Sequence, residues 1–308
     1  MSDLAFYCFQ YALALLLAPL LPGIIARIKA KVAGRHGKPV LQLYFDIFKG
    51  LRKGEVISQV TTPVFTLVVG LATVLCALAL LPLGGMASPL RFSGDFLLAA
   101  YLLGLGRFLT MLAALDTGSS FEGMGASREA AFSALSEPVL FLCLLTLVGV
   151  GSTLGMHDAL SLSGMLGGRP AHEWLLGRAE LLLVPVVFFV LLLVENSRIP
   201  VDDPTTHLEL TMIHEVMILD HSGPSLSFIE YGAALKLWFF AALPAGILVP
   251  DLPLWQQSLC WLACIFAVAV LVGIVESVMA RLRMQKVPVL LGGAAVLSAL
   301  ALILTQVR

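Results

Sequence analysis

A long apolar run followed at once by a dense polar stretch decides the fold of this chain: residues 179–223 read AELLLVPVVFFVLLLVENSRIPVDDPTTHLELTMIHEVMILDHSG. The polar part, Glu195 to Gly223, begins with a glutamate and an arginine and continues with the pair Asp202–Asp203, three histidines and further acidic residues. Charges beside an apolar span are costly to bury, so such a concentration needs a reason. We interpret this stretch as the working loop of a protein that is otherwise embedded in lipid.

The composition supports a membrane protein. The 308 residues are 59% hydrophobic and 13% charged, whereas a soluble domain is about 25% charged. Apolar runs of about 18 residues or more recur, as expected of transmembrane helices. The strand-length alternation of an outer-membrane barrel is absent from the sequence. The first apolar run leads into a basic segment without a cleavage pattern, so we interpret it as a retained span.

These runs predict an all-α polytopic membrane protein with eight transmembrane helices in a single integral membrane domain, residues 1–308. The predicted spans are about 4–26, 63–83, 96–115, 131–153, 179–194, 232–249, 255–280 and 287–305. After the first span, apolar residues from Val40 to Leu51 recur at helical spacing among basic residues. That pattern predicts an amphipathic helix on the membrane surface.

The distribution of basic residues predicts the orientation. With the connection 27–62 on the cytoplasmic side, thirteen of the nineteen Lys and Arg residues fall in inside loops, four fall outside and two lie within spans. This asymmetry follows the positive-inside rule. We therefore expect a multi-pass protein of the inner (cytoplasmic) membrane with both termini on the outer side. The cytoplasmic loops are then about 27–62, 116–130, 195–231 and 281–286.

Ionisable residues within the predicted spans are the first candidates for function. Glu137, Lys236 and Glu276 lie in spans 4, 6 and 7, and an ionisable group in a span faces the protein interior or a wet cavity. The alternative for each is a structural ion pair, or snorkelling of a side chain near the membrane boundary. Arg107 in span 3 is a candidate counter-ion for one of the carboxylates.

The polar stretch after span 5 offers further candidates. Glu195 and Arg198 are three residues apart and could pair on one helical face. Asp203 followed by proline resembles a helix N-cap and predicts a helix as far as about Asp220. Its histidines, His207 among them, could relay protons near neutral pH. The alternative is a solvated helix in a loop.

Motifs for metal, cofactor or nucleotide binding are missing from the sequence. His214–Glu215 is not followed by the second histidine of a zinc-binding H-E-x-x-H helix. Cys260 and Cys264 are one turn apart, but no second pair completes an iron–sulfur or zinc pattern. We therefore expect no metal or cofactor bound by this chain, no catalysis by the chain alone, and no nucleic acid among its partners.

Four ordered blocks resemble one known family. They are RHGKPVLQLYFDIFK at 35–49, LDTGSSFEGMGASREAAFSALSEP at 115–138, the polar stretch at 195–223 and ESVMARLR at 276–283. The chain resembles the formate hydrogenlyase subunit 4 and hydrogenase-4 component C family, whose members are membrane anchor subunits. That family is similar to the H subunit (subunit 1) of respiratory complex I.

The resemblance implies a non-catalytic subunit of an oxidoreductase complex. Such a subunit docks a peripheral nickel–iron hydrogenase-type module, in a formate hydrogenlyase-like complex, and links electron transfer to proton or sodium translocation. The expected partners are peripheral hydrogenase-like large and small subunits, antiporter-like membrane subunits and the lipid bilayer. Nickel–iron and iron–sulfur centres are expected in the partner subunits. The alternative is a quinone-chamber subunit of a complex-I-like dehydrogenase, which would bring a quinone to this chain.

Combined with the candidates above, the resemblance assigns residues to two roles. Those expected on the ion path or in coupling are Glu137, Glu195, Asp202, Glu209, Glu276, Lys236 and His207. Those expected in a docking charge network are Asp46, Arg128, Glu129 and Arg198. Thr205 and His207 stand where the family pattern has glutamates, so this loop carries fewer carboxylates than its relatives do.

Overall fold

The protein folds into a bundle of α-helices. The computed structural model describes residues 3–56, 63–167, 173, 177–203 and 212–307, and it describes the side chains of helix α4 from Val68 onward. The helices are α1 Asp3–Leu17, α2 Leu20–Val32, α3 Gln42–Leu51, α4 Pro63–Leu80, α5 Asp95–Asp116, α6 Ser120–Thr153, α7 Leu162–Met165, α8 Glu180–Glu195, α9 His214–Met217, α10 Gly223–Leu248, α11 Leu254–Val278 and α12 Val287–Val307. Apart from a bridge between Leu83 and Met86, these parts of the chain contain no β-structure.

The described helices confirm the all-α polytopic class but not the count of eight spans. Five are long and apolar enough to cross a membrane, and the number is six if α1 and α2, bent by 43° at a short break, form one span. The apolar part Val68–Leu80 of α4 is shorter than a span. At about 1.5 Å per residue, the 16-residue α8 is about 24 Å long, less than the roughly 30 Å hydrocarbon core. The prediction of eight spans is therefore wrong.

Most of helix α8 is buried in the bundle. It packs against α6, α10 and α12, and Val187, Phe188 and Leu191 on it are fully buried. Leu182 and Val186 on another face of α8 are 53% and 54% exposed, so one side of this helix reaches the surface of the bundle. Its two ends carry Glu180 and Glu195, which are also buried, so α8 brings charge into the interior at each end.

The polar segment 116–130 is helical over most of its length. Helix α6 begins at Ser120 and runs for 34 residues, about 51 Å, which exceeds the hydrocarbon core of a bilayer. Gly125 on its first part lies directly against Val216 and Ile213. The first part of α6, which precedes its apolar region, thus packs against α9. This part of the helix carries Arg128 and Glu129, which therefore lie beside the polar stretch.

The helix predicted around 40–51 is confirmed as α3. One face of α3 packs against α10 and α2, whereas Phe45 and Phe48 on the other face are exposed. The helix predicted from Asp203 to about Asp220 falls partly on residues 204–211, which lie outside the described part. Of the described residues, only His214–Met217 are helical, as α9, so the helix does not reach Asp220 as predicted.

Helix α10 forms the centre of the bundle. It packs against α4, α8, α3 and α11, and its Trp238 is fully buried, with the ring edge-on to Trp261 at a centroid distance of 6.0 Å. This apolar packing sets the register of α10 against α8. As a result, Lys236 on α10 lies beside Glu195 at the end of α8.

Candidate functional site

A cavity of about 250 Å³ opens beside the end of α8. Apolar side chains such as Leu71, Val74 and Phe228 form much of its wall. The charged residues that line it are Arg107, Glu129, Glu195, Arg198, Asp202, Glu215, Glu230 and Lys236. Carboxylates therefore outnumber Lys and Arg by five to three on this wall, in a region where charge is costly to bury.

Glu195 is at the centre of the first group of charges, which we call the Glu195 cluster: Glu195, Arg107, Lys236, Ser136, Glu129 and Glu137. The Glu195 side chain is 4% exposed. Its Oε1 lies 3.1 Å from Arg107 Nη1 and accepts a hydrogen bond of 2.6 Å from Ser136 Oγ. Its Oε2 lies 3.1 Å from Lys236 Nζ. Two cations and a hydroxyl thus hold this buried carboxylate in its charged form.

Two further carboxyl groups lie near these cations. Glu137 Oε1 lies 3.6 Å from Arg107 Nη2, and its side chain is about half exposed. Glu129 is buried and lines the same cavity as Lys236 and Arg107. The Glu195 cluster therefore has three carboxylates and two cations. A bound proton or other cation would balance it, so this group of side chains is chemically suited to exchange one positive charge.

A second group of charges joins three segments of the chain, and we call it the Glu276 cluster: Glu276, Lys29, Arg198, Asp202, Asp203 and Arg281. Glu276 near the end of α11 has a fully buried side chain. Its carboxylate lies 3.0 Å from Lys29 Nζ and 3.6 Å from Arg198 Nη1. Three cations face three carboxylates here, so this cluster is balanced as it stands.

Asp202 is the most completely bonded member of the Glu276 cluster. Arg281 Nη2 lies 2.8 Å from its Oδ1. Its two carboxylate oxygens also accept backbone N–H bonds from Asp203, Ile213 and His214 at 3.0, 3.0 and 3.2 Å. Burial raises the pKa of Asp202, and these donors limit the rise. The carboxylate therefore ties two parts of the polar stretch, at residues 202–203 and 213–214, to Arg281 in the segment after α11.

His214 lies on the cavity wall near both clusters. Burial, together with the positive charges of Lys236 and Arg198, lowers the pKa of His214 to about 4. The imidazole is therefore neutral near pH 7, so His214 can donate or accept a hydrogen bond there without adding to the charge of the site.

The predicted site residues thus divide among several places. Glu137, Glu195, Lys236 and Glu129 belong to the Glu195 cluster, whereas Asp202, Glu276 and Arg198 belong to the Glu276 cluster. Arg128 donates a hydrogen bond of 2.8 Å to the Met212 carbonyl. Asp46 lies exposed on α3, where it accepts a hydrogen bond of 2.8 Å from Gln42. Glu209 and His207 lie outside the described residues.

The sequence reasoning missed several members of this site. Glu230 lines the cavity on α10, whereas the sequence predicts a loop there because the apolar run begins at Gly232. Glu230 and Lys236 are six residues apart and do not share one face of a helix, so their spacing gives no signal. Lys29 and Arg281 counted only as basic loop residues, although each pairs with a buried carboxylate. Among the described residues, no group of three or more His, Cys, Asp or Glu side chains could hold a metal ion.

Comparison with known proteins finds whole-length relatives. A family model described as NADH dehydrogenase matches residues 5–307. Hydrogenase-4 component C of Escherichia coli is 31% identical over 284 residues, which cover 89% of this chain and 87% of that protein. Formate hydrogenlyase subunit 4 of Escherichia coli is 29% identical over 286 residues, 88% of each chain. NADH-ubiquinone oxidoreductase chain 1 of Mycosarcoma maydis is 26% identical over 223 residues, 70% of this chain and 63% of that one.

A solved structure shares the fold. A chain of the membrane-bound sulfane sulfur reductase, an archaeal respiratory membrane complex, superposes with a TM-score of 0.83. The match covers 99% of this chain and 100% of that chain at 18% sequence identity. The resemblance predicted from the four sequence blocks is confirmed by the family model and the Escherichia coli relatives.

Proposed function

The chain belongs to the NADH dehydrogenase family, that of subunit 1 of complex I, and we propose that it is the membrane anchor and coupling subunit of a hydrogenase-type complex. In this role it docks a peripheral redox module and links electron transfer to the translocation of protons or sodium ions. The relatives named hydrogenase-4 component C and formate hydrogenlyase subunit 4 support this assignment.

The observation that carries the coupling part is the Glu195 cluster on the cavity wall. A buried carboxylate at the end of α8 contacts Arg107 and Lys236 at 3.1 Å each. The cluster is one positive charge short of balance, whereas the Glu276 cluster is balanced. An ion that enters from the cavity can be taken up by the first cluster, and the second cluster holds the surrounding segments in place.

The energies involved suit a coupling step. Moving one elementary charge against 100 mV takes about 2.3 kcal/mol. Two unit charges 4 Å apart interact by about 4 kcal/mol at the effective dielectric constant of partly buried sites. Displacing Lys236 from Glu195 by a few ångströms would therefore cost free energy of this order, and the same free energy would be released when the pair forms again. Glu230 and Glu215 on the same wall are the next carboxyl groups along the path.

The polar segments would form the docking face. We place 27–62, 116–130, 195–231 and 281–286 on the cytoplasmic side of the inner membrane, with both termini on the outer side. Peripheral hydrogenase-like large and small subunits, which would carry nickel–iron and iron–sulfur centres, would dock there beside antiporter-like membrane subunits. Arg128 and Asp46 are the docking candidates, since Glu129 and Arg198 are engaged in the two clusters. Glu209 and His207 stay candidates for the ion path by resemblance.

A quinone-chamber subunit of a complex-I-like dehydrogenase is the second candidate function. The observation that favours it is the cavity itself, because apolar walls with a few polar groups are typical of sites for small molecules. In that case the quinone would lie among Leu71, Val74 and Phe228, and its carbonyl oxygens would meet the charged groups of the wall.

Purification of the native complex tests the proposal. The chain carries an affinity tag, the membranes are solubilised in mild detergent, and mass spectrometry identifies the subunits that copurify. We expect hydrogenase-like large and small subunits together with hydrogen-dependent electron transfer. Membranes with the untagged chain are the control. A complex that reduces quinone and lacks any hydrogenase-like subunit would replace the proposal with the second candidate, and a chain that elutes alone would contradict both.

A further inference from the structure

The outward face of α3 is an exposed apolar stripe. Leu41 next to its first turn, Phe45 and Phe48 are 50%, 59% and 56% exposed. Their spacing of four and three residues places them on one side of the helix. Single exposed apolar residues are ordinary, but a row of them along one helix face marks a surface that is covered by something apolar.

The opposite face of α3 is fixed to the bundle. The Tyr44 hydroxyl donates a hydrogen bond to the Leu16 carbonyl of α1. The Ser227 hydroxyl donates to the Ile47 carbonyl at 3.2 Å, and Gly50 lies directly against the same serine. Ser227 is in the first turns of α10, which is a candidate membrane span. Helix α3 is therefore held at the level where that span begins, with its apolar stripe facing away from the protein.

Exposed basic side chains are frequent in the segment that contains the stripe. Those from Lys31 to the end of the described segment at Val56 are Lys31, Arg35, Lys38, Lys49, Arg52 and Lys53. Asp46 is exposed and Glu55 half-buried in the same segment. The guanidinium carbon of Arg52 lies 4.0 Å from the centroid of the Phe48 ring. This pair combines an apolar ring and a cation at one place, as side chains do at the boundary between hydrocarbon and headgroups.

We propose that the outward face of α3 and its basic flanks bind anionic phospholipids of the bilayer. Acyl chains contact Phe45 and Phe48, and the headgroup phosphates pair with Lys49 and Arg52. A peripheral protein subunit would meet the charges equally well, but a helix that presents an apolar stripe between cations at the edge of a span matches the chemistry of an anionic lipid surface. This inference stands independently of the coupling function.

The test compares lipid retention by the native complex and two variants. The first variant is Lys31→Gln, Lys38→Gln, Lys49→Gln and Arg52→Gln together. The second, a matched control, is Arg283→Gln with Lys286→Gln, which removes exposed cations from the connection between α11 and α12. Each complex is equilibrated in nanodiscs of equal phosphatidylglycerol and phosphatidylcholine, and native mass spectrometry counts the lipids that it retains.

We expect the wild-type complex and the control variant to be enriched in phosphatidylglycerol. In the variant with four substitutions, this enrichment should fall by a factor of about three or more, because each cation near a headgroup favours anionic lipid. Unchanged enrichment would overturn the proposal, as would loss of a peripheral subunit with enrichment intact. High salt should also lower the wild-type enrichment, since it screens exposed charges; a salt-independent value would contradict the proposal even if the fourfold variant failed to assemble.

Discussion

Replacing Lys236 with methionine removes one of the two cations that hold the buried carboxylate of Glu195. Removal of one partner from a buried ion pair costs about 3–5 kcal/mol, because the remaining charge is uncompensated. Arg107 still lies 3.1 Å away, and the Lys236 side chain is 16% exposed, so we expect the lower end, about 3 kcal/mol. With the entropy of unfolding per residue that is typical of globular proteins, this loss of stability lowers the thermal midpoint by about 5 °C.

A double-mutant cycle tests whether this cost belongs to the pair. Glu195→Gln, Lys236→Met and the double variant are compared with the wild type by thermal unfolding of the purified protein in detergent. Because the double variant removes both members of the pair and so leaves the charge balance of the cluster unchanged, it should be more stable than the sum of the single effects predicts, by about 2 kcal/mol. Additive effects would refute the reasoning, since they would mean that Lys236 and Glu195 do not depend on each other.

The other predictions concern pH and the two clusters. Burial and two neighbouring cations lower the pKa of His214 to about 4, so the unfolded chain, with an ordinary histidine pKa of about 6.5, binds more protons between about pH 6.5 and 4. Stability should therefore fall as the pH is lowered through this window. The thermal midpoint of His214→Gln should change less with pH in the same window. Equal pH dependence of the thermal midpoint in the wild type and in His214→Gln would contradict this prediction. Glu276→Gln should reduce the amount of assembled complex on native gels well below that of Glu137→Gln. The reason is that Glu276 is fully buried between two cations, whereas Glu137 is half exposed with one contact of 3.6 Å; equal losses would contradict the distinction.

Local patterns in the sequence predicted the all-α membrane class and helix α3. Apolar runs and helical spacing depend on residues close together in the chain, so one sequence contains them. The number of spans could not be obtained in this way. Helix α8 is apolar between its terminal glutamates but has only 16 residues, so an apolar composition alone does not identify a span. The start of α6 at Ser120 depends on packing against Val216, which is remote in the sequence.

The candidate site was predictable residue by residue but not as two clusters. Glu195, Glu137 and Lys236 stood out because charge is rare in apolar segments. Lys29 did not stand out, because the basic segment around it suggested a loop. In the structure, α2 continues past the bend after α1 and places Lys29 Nζ 3.0 Å from the Glu276 carboxylate. Which carboxylate shares which cation depends on contacts between distant segments. The balance of charge within each cluster therefore had to come from the structure.

The central claim is that the Glu195 cluster couples electron transfer to ion translocation. The most direct test is the number of ions moved per electron by the complex in proteoliposomes, measured for Glu195→Gln and for Glu180→Gln as control. Glutamine keeps the shape and can still bond to Ser136 and Lys236, and Glu180 is a buried carboxylate at the opposite end of the same helix. We predict that Glu195→Gln retains electron transfer and loses most of the translocation while the control keeps both. Undiminished translocation per electron in Glu195→Gln would contradict the account.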